Sequence, residues 1–380
     1  MWKRSFLSAV LSRVRRSSAG CGLLLFPLLL SPSSSGAILV LKNGRTFRGD
    51  VTRHDPKNFL LPGGKVFVPA EDAAWFSKST DVDQVIREWS EDIRGRPDYE
   101  DALLPLARFC LQEGRLERGT AFAREWARFR RWKAYLSREF LILTAMKEGK
   151  AKKIGARMDA ALALLRKEFP GSEKGRYTCV VRLFRDLDEF QRAAQSLPYK
   201  PETSYYYPKE RTVYLVSSKA DSPQWTYWDA YRVLCYHFLI DRYLGFNPKY
   251  TWILVGTAAC FENARYRSGK LHGAWRKHRE NADRIRAALR GKTYVPLEKF
   301  LRMKADDFAM GDPYGIHVAQ AWSLVYFFHK SRKRRYKDAF FRYLDVLKKT
   351  GDDERALEKV LLPLGLKKLE RDWMAFYGLR

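Results

Sequence analysis

Cysteine is scarce in this sequence, and so are acidic residues and long apolar runs. The chain has 5 cysteines among 380 residues, and none lies in a CxxC pair or a Cys/His cluster with zinc spacing. A disulfide-rich scaffold is therefore excluded. One segment alone is apolar enough to be considered for a membrane, which excludes a polytopic membrane protein. Hydrophobic residues make up 46% of the chain, which is too apolar for a disordered protein.

The shortage of acidic residues makes the chain strongly basic. It has 71 lysines and arginines against 43 aspartates and glutamates, a formal net charge of +28. Such a charge favours an anionic partner, for example nucleic acid or a membrane surface. The length favours two or three domains. Which anionic partner is reasonable depends on the compartment in which the protein works.

The N-terminus has the layout of a secretory signal. Residues 1–18 carry five basic residues and no acidic one, residues 19–30 are apolar, and small residues follow up to Ala37. A basic region, an apolar stretch and small residues at positions 35 and 37 match a cleavable signal peptide. The sequence therefore predicts a signal peptide over residues 1–37, with a retained membrane anchor as the alternative. We expect export to the periplasm, the cell envelope or the exterior.

Removal of the signal leaves 66 basic and 43 acidic residues and a net charge of +23. Export argues against nucleic acid, so the expected partner is a protein, a peptide or an anionic extracellular polymer. No membrane span is expected after cleavage. Four cysteines remain, and the sequence leaves open whether they pair: Cys110, Cys179, Cys235 and Cys260.

The mature chain is predicted to begin with a small β module over residues 38–77. An Asn43-Gly44 turn after an apolar stretch indicates a hairpin with a return strand over residues 46–51. Residues 59–61 and 66–69, separated by a Pro-Gly-Gly turn, indicate a second hairpin. Four short strands of this kind are expected to form a small curled sheet or a barrel-like module, and we interpret the module as structural.

Residues 80–172 are predicted to form helical hairpins. Asp81 is a suitable N-cap, and apolar residues follow it at helical spacing. Glu-Gly turns at 113–114 and 148–149 lie 35 residues apart, a period typical of tetratricopeptide helix pairs. Since two units are visible, a helical spacer and a peptide-binding groove both stay open. The basic and aromatic run 124–133 is interpreted as a helix with one solvated face and one buried face.

Residues 176–380 show strands followed by long helices, which is the pattern of an α+β domain. Strands are predicted over residues 179–184, 205–207 and 212–216. Helices are predicted over residues 225–244, 251–267, 275–290, 314–330, 333–349 and 366–377. The expected fold class of the whole chain is therefore α+β and mostly helical.

Two segments of this domain carry patterns of a known family. Residues 252–262 read W-x-x-V-G-x-A-x-x-x-E, and residues 314–328 read Y-G-I-H-V-A-Q-A-W-S-L-V-Y-F-F. Together with the order of strands and helices, they make residues 177–378 resemble the gluzincin zinc metallopeptidases, and especially secreted bacterial peptidase-MA-like proteins of unassigned function. In that family one helix carries HExxH, with two zinc-binding histidines and a general-base glutamate, and the next helix supplies a third ligand.

The positions that match the family's zinc site hold other residues. Tyr236 stands at the first histidine, His237 at the glutamate and Ile240 at the second histidine. On the next helix, Val255 stands at the third ligand. Isoleucine and valine cannot coordinate a metal, whereas catalytic zinc needs three protein ligands and an activated water. The resemblance therefore implies a degenerate peptidase-like domain with no catalytic residues, no metal and no cofactor.

A relocated metal site is the alternative. His237 and Asp241 share a helix face at i and i+4, and Glu262 lies at the end of the next helix. Zinc bound by these three would permit a metal-dependent hydrolase. The helix geometry argues against it, because one position turns a side chain by about 100° away from the expected cleft. We interpret His237 as a hydrogen-bonded histidine and Glu262 as a structural hydrogen-bonding residue. Asp241 is interpreted as part of a surface pair with Arg242.

No GxSxG elbow, P-loop or dinucleotide-binding fingerprint is present. Basic runs at residues 265–292 and 330–337 are interpreted as solvated surface, with docking to an anionic polymer or membrane surface as the functional alternative.

Three functions are carried forward. The first is an exported, non-catalytic binding or scaffold protein with a peptidase-like domain. The second is a hydrolase with relocated ligands, and the third is a basic extracellular polyanion-binding protein.

Overall fold

The computed structural model describes residues 36–61, 67–169, 179–195, 204–217, 223–244, 251–309 and 314–378. The protein is an α+β protein in which helices predominate, as the sequence predicts. All but the last two positions of the predicted signal peptide lie outside the described residues. The helices of the described ranges include none with the length and apolar character needed to cross a membrane.

The N-terminal part forms two three-stranded antiparallel sheets. Their strands are β1 Ala37–Leu41, β2 Thr46–Gly49, β3 Thr52–Asp55, β4 Asn58–Leu60, β5 Phe67–Pro69 and β6 Ala73–Ser77. The strand orders are β2-β1-β6 and β3-β4-β5. Both predicted hairpins are confirmed, although the first return strand ends early, at Gly49, which has a φ of +108°. β1 is buried on both faces: its odd-numbered residues pack within the module, and its even-numbered residues pack against the helices that follow.

Three helices follow the β module: α1 Val82–Ile93, α2 Tyr99–Gln112 and α3 Leu116–Phe129. The predicted N-cap is confirmed, because the Asp81 carboxylate accepts hydrogen bonds from the amides of Asp83 and Gln84. The turn between α2 and α3 contains Gly114 with a φ of +76°, where the predicted Glu-Gly turn lies. The first of the two predicted helical hairpins is therefore present.

The second predicted helical hairpin is wrong. Residues 133–144 form a β-hairpin of β7 Lys133–Leu136 and β8 Leu141–Thr144, before helix α4 Glu148–Glu168 begins. The hairpin turn is held by Asp159 of α4, whose carboxylate accepts from the Ser137 hydroxyl and from the amides of residues 138 and 139. This partner lies about 20 residues further along the chain, so local periodicity could not reveal it. The tetratricopeptide-like period is therefore a coincidence, because Gly114 lies in a turn whereas Glu148 and Gly149 are the first two residues of α4.

The hairpin belongs to a five-stranded mixed sheet. Its other members are β9 Val180–Phe184, β10 Tyr205–Tyr207 and β11 Thr212–Val216, with helix α5 Leu187–Ala194 between β9 and β10. The strand order is β10-β11-β9-β8-β7, and β8 pairs with β9 in parallel. The predicted boundary between residues 172 and 176 thus falls between two neighbouring strands of one sheet. The segments on either side of that boundary share a sheet whose faces pack into two separate apolar clusters.

The C-terminal part is helical apart from one ribbon. Helix α6 Pro223–Leu239 continues as a π-helical turn over Ile240–Leu244, and α7 Thr251–Phe261 packs against it. The predicted helix 251–267 is too long, because β12 Arg265–Arg267 and β13 Lys270–His272 form a hairpin instead. The remaining helices are α8 Arg279–Arg290, α9 Leu297–Phe300, α10 Ala305–Ala309, α11 Tyr314–Lys330, α12 Arg334–Thr350, α13 Asp353–Ala356 and α14 Leu366–Phe376.

Candidate functional site

The helix pair α6 and α7 carries the residues at the matched zinc-site positions. Tyr236, His237 and Ile240 lie at the C-terminal end of α6 and its π-helical turn, and Val255 lies on α7. All four are buried, with 4% to 8% of their surface exposed. Three of them, all except His237, belong to the main apolar core. The matched positions are therefore used for packing, and burial of each aliphatic side chain stabilises the fold by roughly 1.5–3 kcal/mol.

His237 is a buried histidine without a close polar partner at Nδ1. This atom lies 3.6 Å from Oδ2 of Asp241, and it has no hydrogen-bond partner among the described residues. The expectation of a hydrogen-bonded histidine is thus not met at Nδ1. Burial lowers the pKa of His237 to about 4, although the charge of Asp241 acts in the opposite direction. A neutral, enclosed imidazole of this kind is a poor general base near neutral pH.

Asp241 is held by two residues of the sheet. Its Oδ1 accepts a hydrogen bond of 2.8 Å from the Tyr206 hydroxyl, and its Oδ2 accepts one of 2.8 Å from Nε of Arg211. Burial favours the neutral carboxyl, but the charge of Arg211 and both hydrogen bonds hold the pKa of Asp241 below its ordinary value. The predicted surface pair with Arg242 is wrong, because the Asp241 side chain is 13% exposed and pairs with Arg211.

Two further arginines lie within electrostatic range of Asp241 and Arg211. Arg108 on α2 is 2% exposed and donates from Nη1 to the backbone carbonyl of Glu210 over 2.9 Å. Burial and the charge of Arg211 lower the pKa of Arg108 to about 10. Arg45, after the β1–β2 turn, also has a lowered pKa, because burial and Arg211 outweigh the attraction of Asp241. We call Arg45, Arg108, Arg211 and Asp241 the buried arginine cluster.

Sequence reasoning misses the three arginines of this cluster. Arg108 does carry a signal, since it is the one charged residue among the nine buried residues 103–111 of α2. A lone charge inside an apolar helical stretch predicts a buried partner. Arg45 and Arg211 carry no such signal, because both lie next to turns, and Arg211 itself has a φ of +50°. The three arginines lie on chain segments that are far apart in sequence, so only the tertiary structure brings them together.

Glu262 lies in a different polar group. Its charged neighbours are Arg232 and Asp229, which form an ion pair of 2.7 Å on α6. Burial, together with the nearby Asp229, outweighs Arg232 and raises the pKa of Glu262 to about 7. The largest shifts at His237 and Asp241 come instead from burial, from each other and from Arg211. The structure therefore pairs His237 with Asp241 but does not add Glu262 to them.

A metal site is not apparent in this arrangement. Within the ranges that the structure describes, no three His, Cys, Asp or Glu side chains are grouped so that they could hold a metal ion. Each oxygen of Asp241 already accepts a hydrogen bond, and Ile240 and Val255 offer no lone pair. The relocated ligand set of His237, Asp241 and Glu262 thus has no geometric support.

The four cysteines within the described residues are buried and unpaired. Burial raises the pKa of Cys110 and of Cys179 to about 12, and it raises the pKa of Cys235 and Cys260 well above the ordinary value. A thiol with such a pKa is not a thiolate at neutral pH, so none of the four is an activated nucleophile. Their environments suit small apolar core residues.

Comparison with known proteins adds no family assignment. A scan against protein-family models matches none, and a search of the curated proteins finds no relative. The gluzincin resemblance therefore stays a prediction based on the sequence patterns of α7 and α11 and on the order of the elements.

Proposed function

We propose that the chain is an exported, non-catalytic protein with a peptidase-like domain that acts as a binding or scaffold module. In this proposal residues 1–37 direct export, and α6 and α7 are a gluzincin-like helix pair whose ligand positions have become core positions. The observation that carries the proposal is the burial of Ile240 and Val255 in the main apolar core. Side chains that cannot coordinate a metal occupy two of the three ligand positions.

The surroundings of the helix pair support the same reading. Asp241 is engaged by Tyr206 and Arg211, so the polar group nearest the matched positions serves the fold. His237 has a pKa of about 4 and lacks an activated water to deprotonate. Each of these features supports a structural role for these residues in place of a catalytic one. The binding role is inferred from the family resemblance, and the expected partner is a protein or peptide.

The proposal is tested by restoring the ligands. The restored variant combines Tyr236→His, His237→Glu, Ile240→His and Val255→Glu. If α6 and α7 keep the gluzincin arrangement, this variant binds about one equivalent of zinc, since three ligands then converge on one face. The parent protein is expected to bind none and to hydrolyse no peptide or protein substrate. Elemental analysis of the purified proteins and a cobalt absorption spectrum measure the metal directly.

The matched control carries Tyr236→His and His237→Glu but keeps Ile240 and Val255, so it lacks two ligands and should stay metal-free. If the buried Val255→Glu change prevents folding, the double variant Tyr236→His with Ile240→His replaces it. Cobalt binding by this variant tests whether the two positions lie on one face of the helix. A folded variant without metal contradicts the gluzincin resemblance. A parent that contains zinc and loses both metal and peptide hydrolysis on His237→Ala contradicts the non-catalytic proposal.

A further inference from the structure

A two-stranded ribbon projects from the C-terminal helices. Strands β12 and β13 pair so that Arg265 faces His272 and Arg267 faces Lys270. The two turn residues, Ser268 and Gly269, both have positive φ, as in the type I′ turn that closes a tight hairpin. Neighbouring side chains on one face of such a ribbon lie about 7 Å apart along a strand and about 5 Å apart across it.

The inner face of the ribbon is anchored. Leu271 is buried in the main core, and β13 packs against α4. The Arg157 guanidinium on α4 lies 4.7 Å from the ring centroid of Tyr266 and 3.7 Å from that of Tyr227 on α6. This stacking covers one face of Tyr266 and ties the ribbon to two helices. The outer face is therefore presented by a fixed scaffold.

The outer face is entirely basic. Its four side chains are exposed: Arg265, Arg267, Lys270 and His272. Arg276 is exposed as well and folds back over Gly273, at the base of β13. We call these five residues the basic ribbon. No acidic residue occurs in the sequence from Asn263 to Arg279.

The charges of the basic ribbon are not balanced within the protein. Among the residues that the structure describes, no carboxylate forms an ion pair with Arg265, Arg267, Lys270 or Arg276. Some other surface arginines are paired, for example Arg96 with Asp98 at 2.8 Å and Arg302 with Glu354 at 2.7 Å. Like charges directly opposite each other weaken a hairpin. The arrangement does not help the ribbon to fold, which favours a role in binding.

We propose that the basic ribbon is a docking surface for a linear, sulfated or carboxylated polysaccharide. The cations lie along a narrow ribbon, which matches a chain of repeated anionic groups. Single-stranded nucleic acid is a poorer match, because sequence-tolerant binding of single strands relies on exposed aromatic rings for stacking, and Tyr266 is covered by Arg157. An anionic membrane is also a poorer match, because the apolar Leu271 faces inward and leaves nothing to insert. The charge and exposure of the basic ribbon do not depend on the peptidase resemblance.

Heparin is the probe for this proposal. The ribbon variant combines Arg265→Ser, Arg267→Ser and Lys270→Ser, and the matched control removes three paired surface charges through Arg96→Ser, Arg118→Ser and Arg302→Ser. We expect the ribbon variant to bind heparin at least about ten-fold more weakly at roughly 0.1 M salt. The slope of log Kd against log salt should fall by about 3, and the control should change it by less than about 1.

A conservative variant, Arg265→Lys with Arg267→Lys, keeps the charge and should keep most of the heparin affinity. Equal losses in the ribbon variant and the control would overturn the proposal, because the binding would then depend on net charge alone. Ribbon-dependent binding that is stronger for single-stranded DNA, or for vesicles containing phosphatidylserine, would overturn the choice of polysaccharide. Melting curves show whether each variant is folded. All the substituted positions are exposed, so we expect every variant to fold.

Discussion

The buried arginine cluster and the basic ribbon use the same side chain in opposite surroundings. In the cluster, Arg211 pairs with Asp241 inside the protein, and Arg45 and Arg108 from two other segments lie within electrostatic range of both. In the ribbon, cations of one short hairpin face solvent with no carboxylate beside them among the described residues. Removal of a partner from a buried charge is strongly destabilising, whereas an exposed charge contributes little to stability. The cluster is therefore structural, and the ribbon is free to bind a partner.

The largest expected effect is at the centre of the cluster. Asp241→Asn removes the carboxylate that pairs with the largely buried Arg211, and it should lower the free energy of unfolding by roughly 3–5 kcal/mol. Denaturant unfolding followed by circular dichroism measures the change. The matched control is Asp338→Asn, whose exposed carboxylate lies 3.7 Å from Arg334. It should lower stability by less than about 1 kcal/mol. Similar losses of stability in both variants would mean that the buried arginine cluster contributes no more to the fold than an exposed ion pair.

The second effect depends on pH. His329 stacks on Trp275 with ring centroids 3.5 Å apart, and burial lowers its pKa to about 3. Because the folded pKa lies below the unfolded one, the unfolded state binds the proton first as the pH falls. From pH 7 to pH 5 this histidine should therefore reduce stability by up to about 2 kcal/mol. His237 acts in the same direction, since its pKa is about 4.

The control for this pH effect is His329→Phe, which keeps a ring against Trp275 and cannot titrate. The stability of this variant should fall less between pH 7 and pH 5 than that of the parent. Glu262 works in the opposite direction in both proteins, because its pKa is raised to about 7 and its stabilisation is lost as the pH rises toward that value. The difference between the two proteins therefore isolates His329, and identical pH profiles would contradict its burial as a neutral group.

The smallest expected effect on stability is at the basic ribbon. The variant with Arg265→Ser, Arg267→Ser and Lys270→Ser removes opposed like charges, so it should change the free energy of unfolding by no more than about 0.5 kcal/mol in either direction. Thermal melting measured beside the Asp241→Asn variant tests this. A loss above about 1 kcal/mol would mean that these cations have partners that support the fold, and the contrast with the cluster would then fail.

The local parts of the fold were predictable from the sequence. The Asp81 N-cap, the Asn43-Gly44 turn and the long helices α11 and α12 follow from capping, turn chemistry and helical periodicity. The β7–β8 hairpin did not follow, because its turn is held by Asp159 on a helix that comes later in the chain. The β12–β13 ribbon did not follow for a local reason: the predicted helix 251–267 includes all of β12, although the Ser268-Gly269 turn comes directly after it.

At the candidate site, the sequence alone determined that two of the matched positions cannot bind a metal, because Ile240 and Val255 have no ligand atom in any fold. It also set the excess of positive charge, which is a matter of composition. Tertiary structure decided where that charge is buried and where it is exposed. Asp241 became the centre of a buried cluster only because the β1–β2 turn, α2 and the start of β11 bring arginines to it. Such long-range contacts depend on packing between distant segments, so no local pattern of residues predicts them.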